Sequence, residues 1–216
     1  MSGLRDYKAV AKACNSSEVR VRAAAPLIYD ALHEQGILTT RTAIAALGTA
    51  AVECRFKPVI ESYWLKPAAW TRWADGTRYG KADPVTGHRY IGRGLIQLTW
   101  RGNYEKYGRL LGVDLLNHPE RALEPRTAAR VLALYFRERK VREAADAGDW
   151  RAVRKLVNGG FNGWSSFKEC VDRLLVVEGG AAAGARPRQR SLRRRGGKRR
   201  GPVDREPGAA PTGVSG

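Results

Sequence analysis

In this chain only residues 88–99 join large apolar side chains to the period-two alternation of a strand. Elsewhere the apolar residues recur at helical spacing. Residues 17–35 start at Ser16/Ser17, carry Val19, Ala23, Leu27, Ile28, Ala31 and Leu32, and stop at Gly36. A second predicted helix runs from Ala43 to about Arg55, introduced by Thr39/Thr40. Its narrow stripe comprises Ile44, Leu47 and Ala51, continued by Phe56, and Pro58 forces its end, because the residue before a proline avoids the helical region. Residues 62–88, rich in Trp, Gly, Asp and Pro, read as a long cleft-lining loop. Residues 101–111, 125–138, 149–157 and 165–178 are again helical in period. Asp149 is the cap expected for the third of these, and Ser165/Ser166 with Glu169 form a capping-box pattern for the last. The expected fold is mainly α (α+β), a helical domain with a small β-hairpin.

Composition changes abruptly at Gly179, which sets the expected domain limits. Residues 1–178 form one domain, and residues 179–216 form a disordered basic Arg/Gly/Pro-rich tail with almost no large apolar residues. A domain of the first size buries roughly 70% of its unfolded surface. Of the net charge of +18, the tail holds +8 and the domain +10. Such a balance suggests an anionic partner, either nucleic acid or a bacterial envelope, although charge alone selects no target and a merely solvated tail fits it equally. The tail lacks interleaved aromatics, so base stacking is not supported.

Cys14, Cys54 and Cys170 are odd in number and widely spaced, which argues for reduced thiols rather than a disulfide or metal framework. His33, His88 and His118 are scattered, so no metal site and no His-based triad is expected. The first residues lack an apolar core, and no apolar run approaches 18 residues. Neither a signal peptide nor a transmembrane segment is therefore expected.

The strand-like segment reads Arg89-Tyr90-Ile91-Gly92-Arg93-Gly94-Leu95-Ile96-Gln97-Leu98-Thr99-Trp100 and continues to Asn103-Tyr104. Alternation would put Gln97 and Thr99 on one face, with Ile96 and Leu98 on the other. An amide beside a hydroxyl suits a sugar cleft, the amide reading hydroxyl or acetamido groups and the hydroxyl holding a water. The run resembles the signature of the family 19 glycoside hydrolases, in their phage and bacterial lysin branch. Val52-Glu53-Cys54-Arg55-Phe56-Lys57-Pro58 resembles that branch's helix end bearing the catalytic acid. Ala133-Leu134-Tyr135-Phe136 resembles its later helix, and Val157-Asn158-Gly159-Gly160 with Asn162-Gly163 its Asn-Gly-Gly loop. Together these cover roughly residues 5–178. The resemblance implies a lysozyme-like architecture with the hairpin lining a glycan cleft. It departs from many members at Val52, where they carry His before the acid.

Glycoside hydrolysis usually takes two carboxyl groups across the scissile bond, one of them holding a proton near neutral pH. Glu53 sits in the last turn of an apolar helix, where the macrodipole and poor solvation both disfavour a charged carboxylate. The bland alternative is an ion pair with Arg55 or another cation at the helix end. On a continuous helix Glu61 would lie about 12 Å along the axis from Glu53. Pro58 breaks the helix and lets the chain return Glu61 across the cleft, and an inverting pair needs roughly 6.5–9.5 Å between carboxyls. The resemblance implies that Glu61 acts as general base and that Thr99 helps hold the attacking water. The alternative for Glu61 is an ion pair with Lys57 or Lys66, and Asp75 and Asp83 are its substitutes.

The resemblance also implies that Gln97, Asn103 and Asn158 hydrogen-bond the sugar, while Tyr90 and Arg93 organise the loop and the acid. Asn158 before Gly could equally cap a helix. Trp64, Trp70 and Trp73 are candidates for stacking on sugar rings. Trp150 and Trp164 read as core or staple residues.

The function so implied is an endo-acting glycoside hydrolase on bacterial peptidoglycan, an endolysin that needs no cofactor and works as a monomer. It would be made in the cytoplasm and would reach the wall by a holin-type pore, by lysis or in a virion. The alternatives are a chitinase and a non-catalytic glycan-binding module.

Overall fold

The structure, a computed structural model, describes residues 1–184. Nine α-helices and one two-stranded sheet make up these residues. The helices are α1 (Tyr7–Ala13), α2 (Glu18–Glu34), α3 (Thr40–Cys54), α4 (Pro67–Gly76), α5 (Arg101–Leu111), α6 (Pro125–Glu138), α7 (Val141–Asp146), α8 (Trp150–Asn158) and α9 (Trp164–Gly184). Short 3-10 turns occupy Gly3–Arg5 and Pro119–Leu123. Strand β1 (Val59–Ile60) pairs antiparallel with β2 (Arg93–Gly94), placing Val59 opposite Gly94 and Ile60 opposite Arg93. The mainly helical fold expected from the spacing is what forms.

Helix α3 is the spine. Every residue from Thr42 to Ala51 is buried, so the narrow stripe expected of it becomes a helix covered on all sides. Small side chains make this possible by letting neighbours approach closely. A Cβ on Gly48 would lie 3.1 Å from the Phe167 ring of α9. Thr39 caps the start, its hydroxyl accepting from the Thr42 N–H at 3.0 Å. Around this spine α1, α2, α6, α8 and α9 bury Leu32, Phe136, Phe167 and Leu174, each worth about 1.5–3 kcal/mol relative to exposure. A second, smaller core joins Tyr90 and Leu98 to α5 and α6 through Tyr104, Tyr107, Leu111 and Leu134. Ile96 and Tyr135 pack against both cores.

Four expectations need correction. The β element is not a hairpin, since its strands are more than thirty residues apart in sequence. The run after β2 does not alternate: Leu95–Gln97 turn back on themselves, and Leu98 makes a single antiparallel bridge to Arg93. Gln97 takes φ 54°, which breaks period-two geometry, so Gln97 and Thr99 do not line one strand face. Residues 62–88 are not all loop but contain α4. Pro67 in its first turn supplies the preset φ of a helix start, while Ala74 is the one residue α4 buries, leaving no periodic signal to read. Finally, α9 begins at Trp164 and continues to Gly184. Ser165 and Ser166 thus lie inside the helix rather than capping it, and the boundary at 179 falls within it. The remainder of the basic tail lies outside the described residues. Asp149 does cap α8, accepting from the Ala152 N–H at 2.9 Å.

Candidate active site

The chain reverses sharply where α3 ends. Arg55 and Phe56 both adopt left-handed backbone, with φ 50° and 61°. The Phe56 N–H reaches back to the Ala50 carbonyl at 3.0 Å and that of Arg55 to Ala51 at 3.2 Å, closing the helix as a glycine usually would. Pro58 follows only afterwards, so this pair, rather than the proline, turns the chain into β1. Non-glycine residues at positive φ cost of order 1–3 kcal/mol each and persist where their surroundings dictate them. Five of the seven in the described residues are Arg55, Phe56, Ser62, Gln97 and Trp100. They flank Glu53, Glu61 and Thr99 in sequence.

Glu53 stands at the end of α3 with its side chain 17% exposed. It is not left poorly solvated in an apolar pocket. The Arg154 guanidinium of α8, 2% exposed, donates from Nη1 to Glu53 Oε1 at 2.6 Å. Arg154 is itself locked, its Nε donating to the Asn162 carbonyl at 2.8 Å with Nη2 on the same oxygen. The 159–163 loop is pressed against this pair, and a Cβ on Gly163 would lie 2.8 Å from Val52 Cγ1. The cation beside Glu53 therefore comes from a helix a hundred residues away, and neither Arg55 nor His at position 52 supplies it.

Glu61 follows β1 directly, and its N–H completes the pairing by donating to the Gly92 carbonyl at 2.8 Å. Its carboxylate is gripped at both oxygens. Tyr79 Oη donates to Oε1 at 2.8 Å, and the Gly92 N–H donates to Oε2 at 3.3 Å. Neither Lys57 nor Lys66 pairs with it. Burial and then the bond to Glu61 push the Tyr79 phenol up to about 12. The Trp70 indole N–H anchors the same residue by donating to its carbonyl at 2.9 Å. A Cβ at 92 would lie 2.8 Å from Gln97 Oε1 and 2.9 Å from Glu61 Oε2, so any larger residue there would displace both side chains.

Gln97 Nε2 donates to the carbonyls of Val59 at 3.2 Å and Gly94 at 3.3 Å, tying the turn to both strands. The Thr99 hydroxyl donates to the Gln97 carbonyl at 2.8 Å, leaving its lone pairs free to accept. Asn103 Nδ2 donates to the Thr99 carbonyl at 2.7 Å. Tyr90 is buried with its hydroxyl on the Leu116 carbonyl at 2.8 Å. Arg93 is buried too, Nη1 donating to the Arg89 carbonyl at 2.7 Å and to Tyr104 Oη at 3.0 Å. Asn158 ends α8, but the left-handed cap is Gly159, and the Asn158 Nδ2 is buried without a hydrogen-bond partner.

Asp75 and Asp83 are committed elsewhere. Asp75 pairs with Arg89 at 2.5 Å. The Asp83 carboxylate accepts from the Thr86 and Val85 N–H groups, and these bonds hold it below the usual carboxylate range. Of the tryptophans, Trp64 is 71% exposed beside an exposed Tyr63, whereas Trp150 is buried. Trp100, 45% exposed and edge-on to Tyr79 at 5.4 Å, is a further sugar-facing candidate beside the Glu61 partner. Arg154, Tyr79 and Trp100 were not singled out from the sequence. Only the last lies inside a recognisable motif; a buried arginine among 39 basic residues carries no local signal.

Among the described residues no group of His, Cys, Asp and Glu side chains is arranged to hold a metal ion, and no helix is long and apolar enough to cross a membrane.

Residues 70–149 match the family model described as chitinase class I. An endochitinase of Arabidopsis thaliana is 39% identical over 83 residues, which is 38% of this chain and 29% of the relative. Endochitinase 1 of Theobroma cacao is 38% identical over 76 residues, 33% of this chain and 21% of the relative. The inactive chitinase-like protein 1 of Hevea brasiliensis is 44% identical over 50 residues, 23% and 16% of the two chains. The chain thus spans less than a third of the length of these curated relatives. Chitinase C from Streptomyces griseus shares the fold with a TM-score of 0.50 and 17% identity, over 82% of this chain and 76% of that one. The matched segment contains Tyr90, Arg93, Gln97, Thr99 and Asn103 but neither carboxylate, so Glu53 and Glu61 are singled out by their own geometry. Motif and sequence match agree that residues 70–149 are similar to the class I chitinases of glycoside hydrolase family 19, and the fold is similar to that of one bacterial chitinase.

Proposed function

We propose that the protein hydrolyses β-1,4 bonds in polymers of N-acetylated glucosamine of the chitin type, by single displacement at the anomeric carbon. The observation that carries this reading is the pair of half-buried carboxylates, eight residues apart across a strained chain reversal, each held by its own partners. Glu53, paired with Arg154 in the free protein, acts as general acid once it has taken up a proton and gives that proton to the glycosidic oxygen as that bond breaks. Arg154 then faces the carboxylate that donation leaves. Glu61 acts as general base, taking a proton from the water that attacks the opposite face of the sugar, which inverts the anomeric centre. The Thr99 hydroxyl, already donating to a carbonyl, accepts from that water.

Gln97, Asn103, Tyr90 and Arg93 serve chiefly by fixing Glu61 and Thr99. Asn158 differs, since its buried Nδ2 lacks a partner and would donate to a sugar acetamido oxygen only once substrate binding uncovers it. The names of the relatives favour chitin over peptidoglycan, which the lysin resemblance had put first. A specific observation keeps peptidoglycan as the second reading: the net charge of +18 suits an anionic wall better than neutral chitin. On either reading the enzyme works as a monomer outside the cell that makes it, and the basic tail adds contact with an anionic surface.

The test is reducing-end release by the wild type and by Glu53→Gln on a chitin oligomer and on peptidoglycan. We expect release from chitin, falling roughly 100- to 10,000-fold in the variant while the fold is kept. Release from peptidoglycan alone would favour the second reading. A folded protein that binds either polymer without release would leave only a binding module.

A further inference from the structure

Two thiols from opposite ends of the described chain meet behind the helix that carries Glu53. Cys14 closes α1 and Cys170 lies in α9; they are 8% and 4% exposed. The Cys170 thiol donates to Cys14 with the two sulfurs 2.7 Å apart. That is closer than ordinary contact between sulfurs and only somewhat longer than a disulfide bond of about 2.05 Å. Both residues line a cavity of 310 Å³ together with Asn15, Val52, Arg55 and Arg173. The cavity supplies a route for a small reagent; of the charged side chains that line it, Arg173 is paired with Glu169 and weakly favours the Cys14 thiolate, and Arg55 stands beside them. Cys54 is placed differently, its thiol donating to the Ala50 carbonyl at 3.3 Å.

We propose that Cys14 and Cys170 are a disulfide-forming pair, oxidised by a low-molecular-weight disulfide that enters this cavity, and that the bond staples α1 to α9 behind α3. One cysteine thiolate attacks a sulfur of the reagent, forming a mixed disulfide and releasing one reagent thiolate. The second cysteine then attacks the protein-bound sulfur, forming the Cys14–Cys170 bond and releasing the other. Two protein thiols lose two protons and two electrons, and the reagent disulfide is reduced to two thiols. The hydrogen bond from Cys170, and then burial, hold Cys14 in its protonated form, so the reaction is slow at neutral pH and quickens as the pH rises. A link between residues 156 apart in sequence restricts the unfolded chain strongly. It also leaves the residues around Glu61 untouched.

The test uses the full chain and oxidised glutathione at mildly alkaline pH, followed by acid quench, denaturation and alkylation. One alkylated cysteine, Cys54, is expected, since burial pushes its thiol up to about 12 and keeps it out of exchange. A non-reducing peptide map should join Cys14 to Cys170. The melting temperature should rise by about 4–16 °C and return on treatment with dithiothreitol. Three alkylated cysteines, or a link involving Cys54, would overturn the proposal. So would the same thermal gain in a Cys14→Ala/Cys170→Ala double variant. Should that variant fail to fold, the wild-type peptide map decides alone.

Discussion

Replacing Arg154 by leucine tests whether the cation beside Glu53 is a structural necessity of the site. The change removes the 2.6 Å charge pair and both donors to the Asn162 carbonyl. Removing one member of a buried pair costs about 3–5 kcal/mol, mostly because the remaining charge is stranded. Glu53 retains 17% exposure and can draw in water, so the low end, about 3 kcal/mol, applies. The orphaned carbonyl adds about 1 kcal/mol. A total of about 4 kcal/mol corresponds to a melting temperature lower by about 8–16 °C for a domain of this size. Calorimetry or denaturant melts measure it, and a cycle with Glu53→Gln isolates the pair. In the double variant no charge is stranded, so most of the loss should be recovered. A single variant destabilised by less than about 1 kcal/mol, or a double variant no better than the single, would refute the reasoning.

The remaining expectations concern Glu61 and its supports. Gly92→Ala forces a methyl within 3 Å of both Glu61 and Gln97; turnover should fall at least tenfold with KM little changed, and steady-state kinetics on a chitin oligomer would show it. Tyr79→Phe removes the hydroxyl from Glu61, and turnover on a chitin oligomer should fall while the fold is kept. The phenols of Tyr79 and Tyr104, raised from 10.0 to about 12 chiefly by burial, favour the folded state while protonated. Stability from this source is full below about pH 10 and is lost progressively between about pH 10 and 12, which alkaline melts should reveal. In Glu61→Gln the Tyr79 ionisation should move back down, read by ultraviolet difference titration.

The helices were largely legible in the sequence because periodicity reports burial directly. Residues 125–138 match α6 at both ends, and Asp149 caps α8 as its chemistry suggests. What escaped reading has identifiable causes. Helix α4 buries only Ala74, so no apolar period marks it. The turn at Leu95–Gln97 looks like a strand because alternation cannot register a single residue at φ 54°. Helix α7 is six residues long, too short for a period to stand out. At the site, Glu53 and Glu61 stand out in sequence because each sits beside a predicted break in secondary structure. Their partners Arg154 and Tyr79 do not, being set by tertiary approach across 101 and 18 residues.

The two cores have a consequence for how the protein fails. Glu53 rides on α3, the centre of the larger one. Glu61 is tied through Gly92 to the segment that Tyr104 clasps, its hydroxyl donating to the Ile91 carbonyl at 2.7 Å, and so to the smaller one. The carboxylate geometry therefore holds only while both clusters are closed, and the smaller has fewer apolar side chains to keep it so. Partial opening of that cluster would part Glu53 from Glu61 while the main helical body stays native. On warming, inactivation should precede the calorimetric transition, and the amides of α5 should exchange with solvent ahead of those of α3. On the proposed function, the working temperature is then set by the weaker cluster rather than by the melting point.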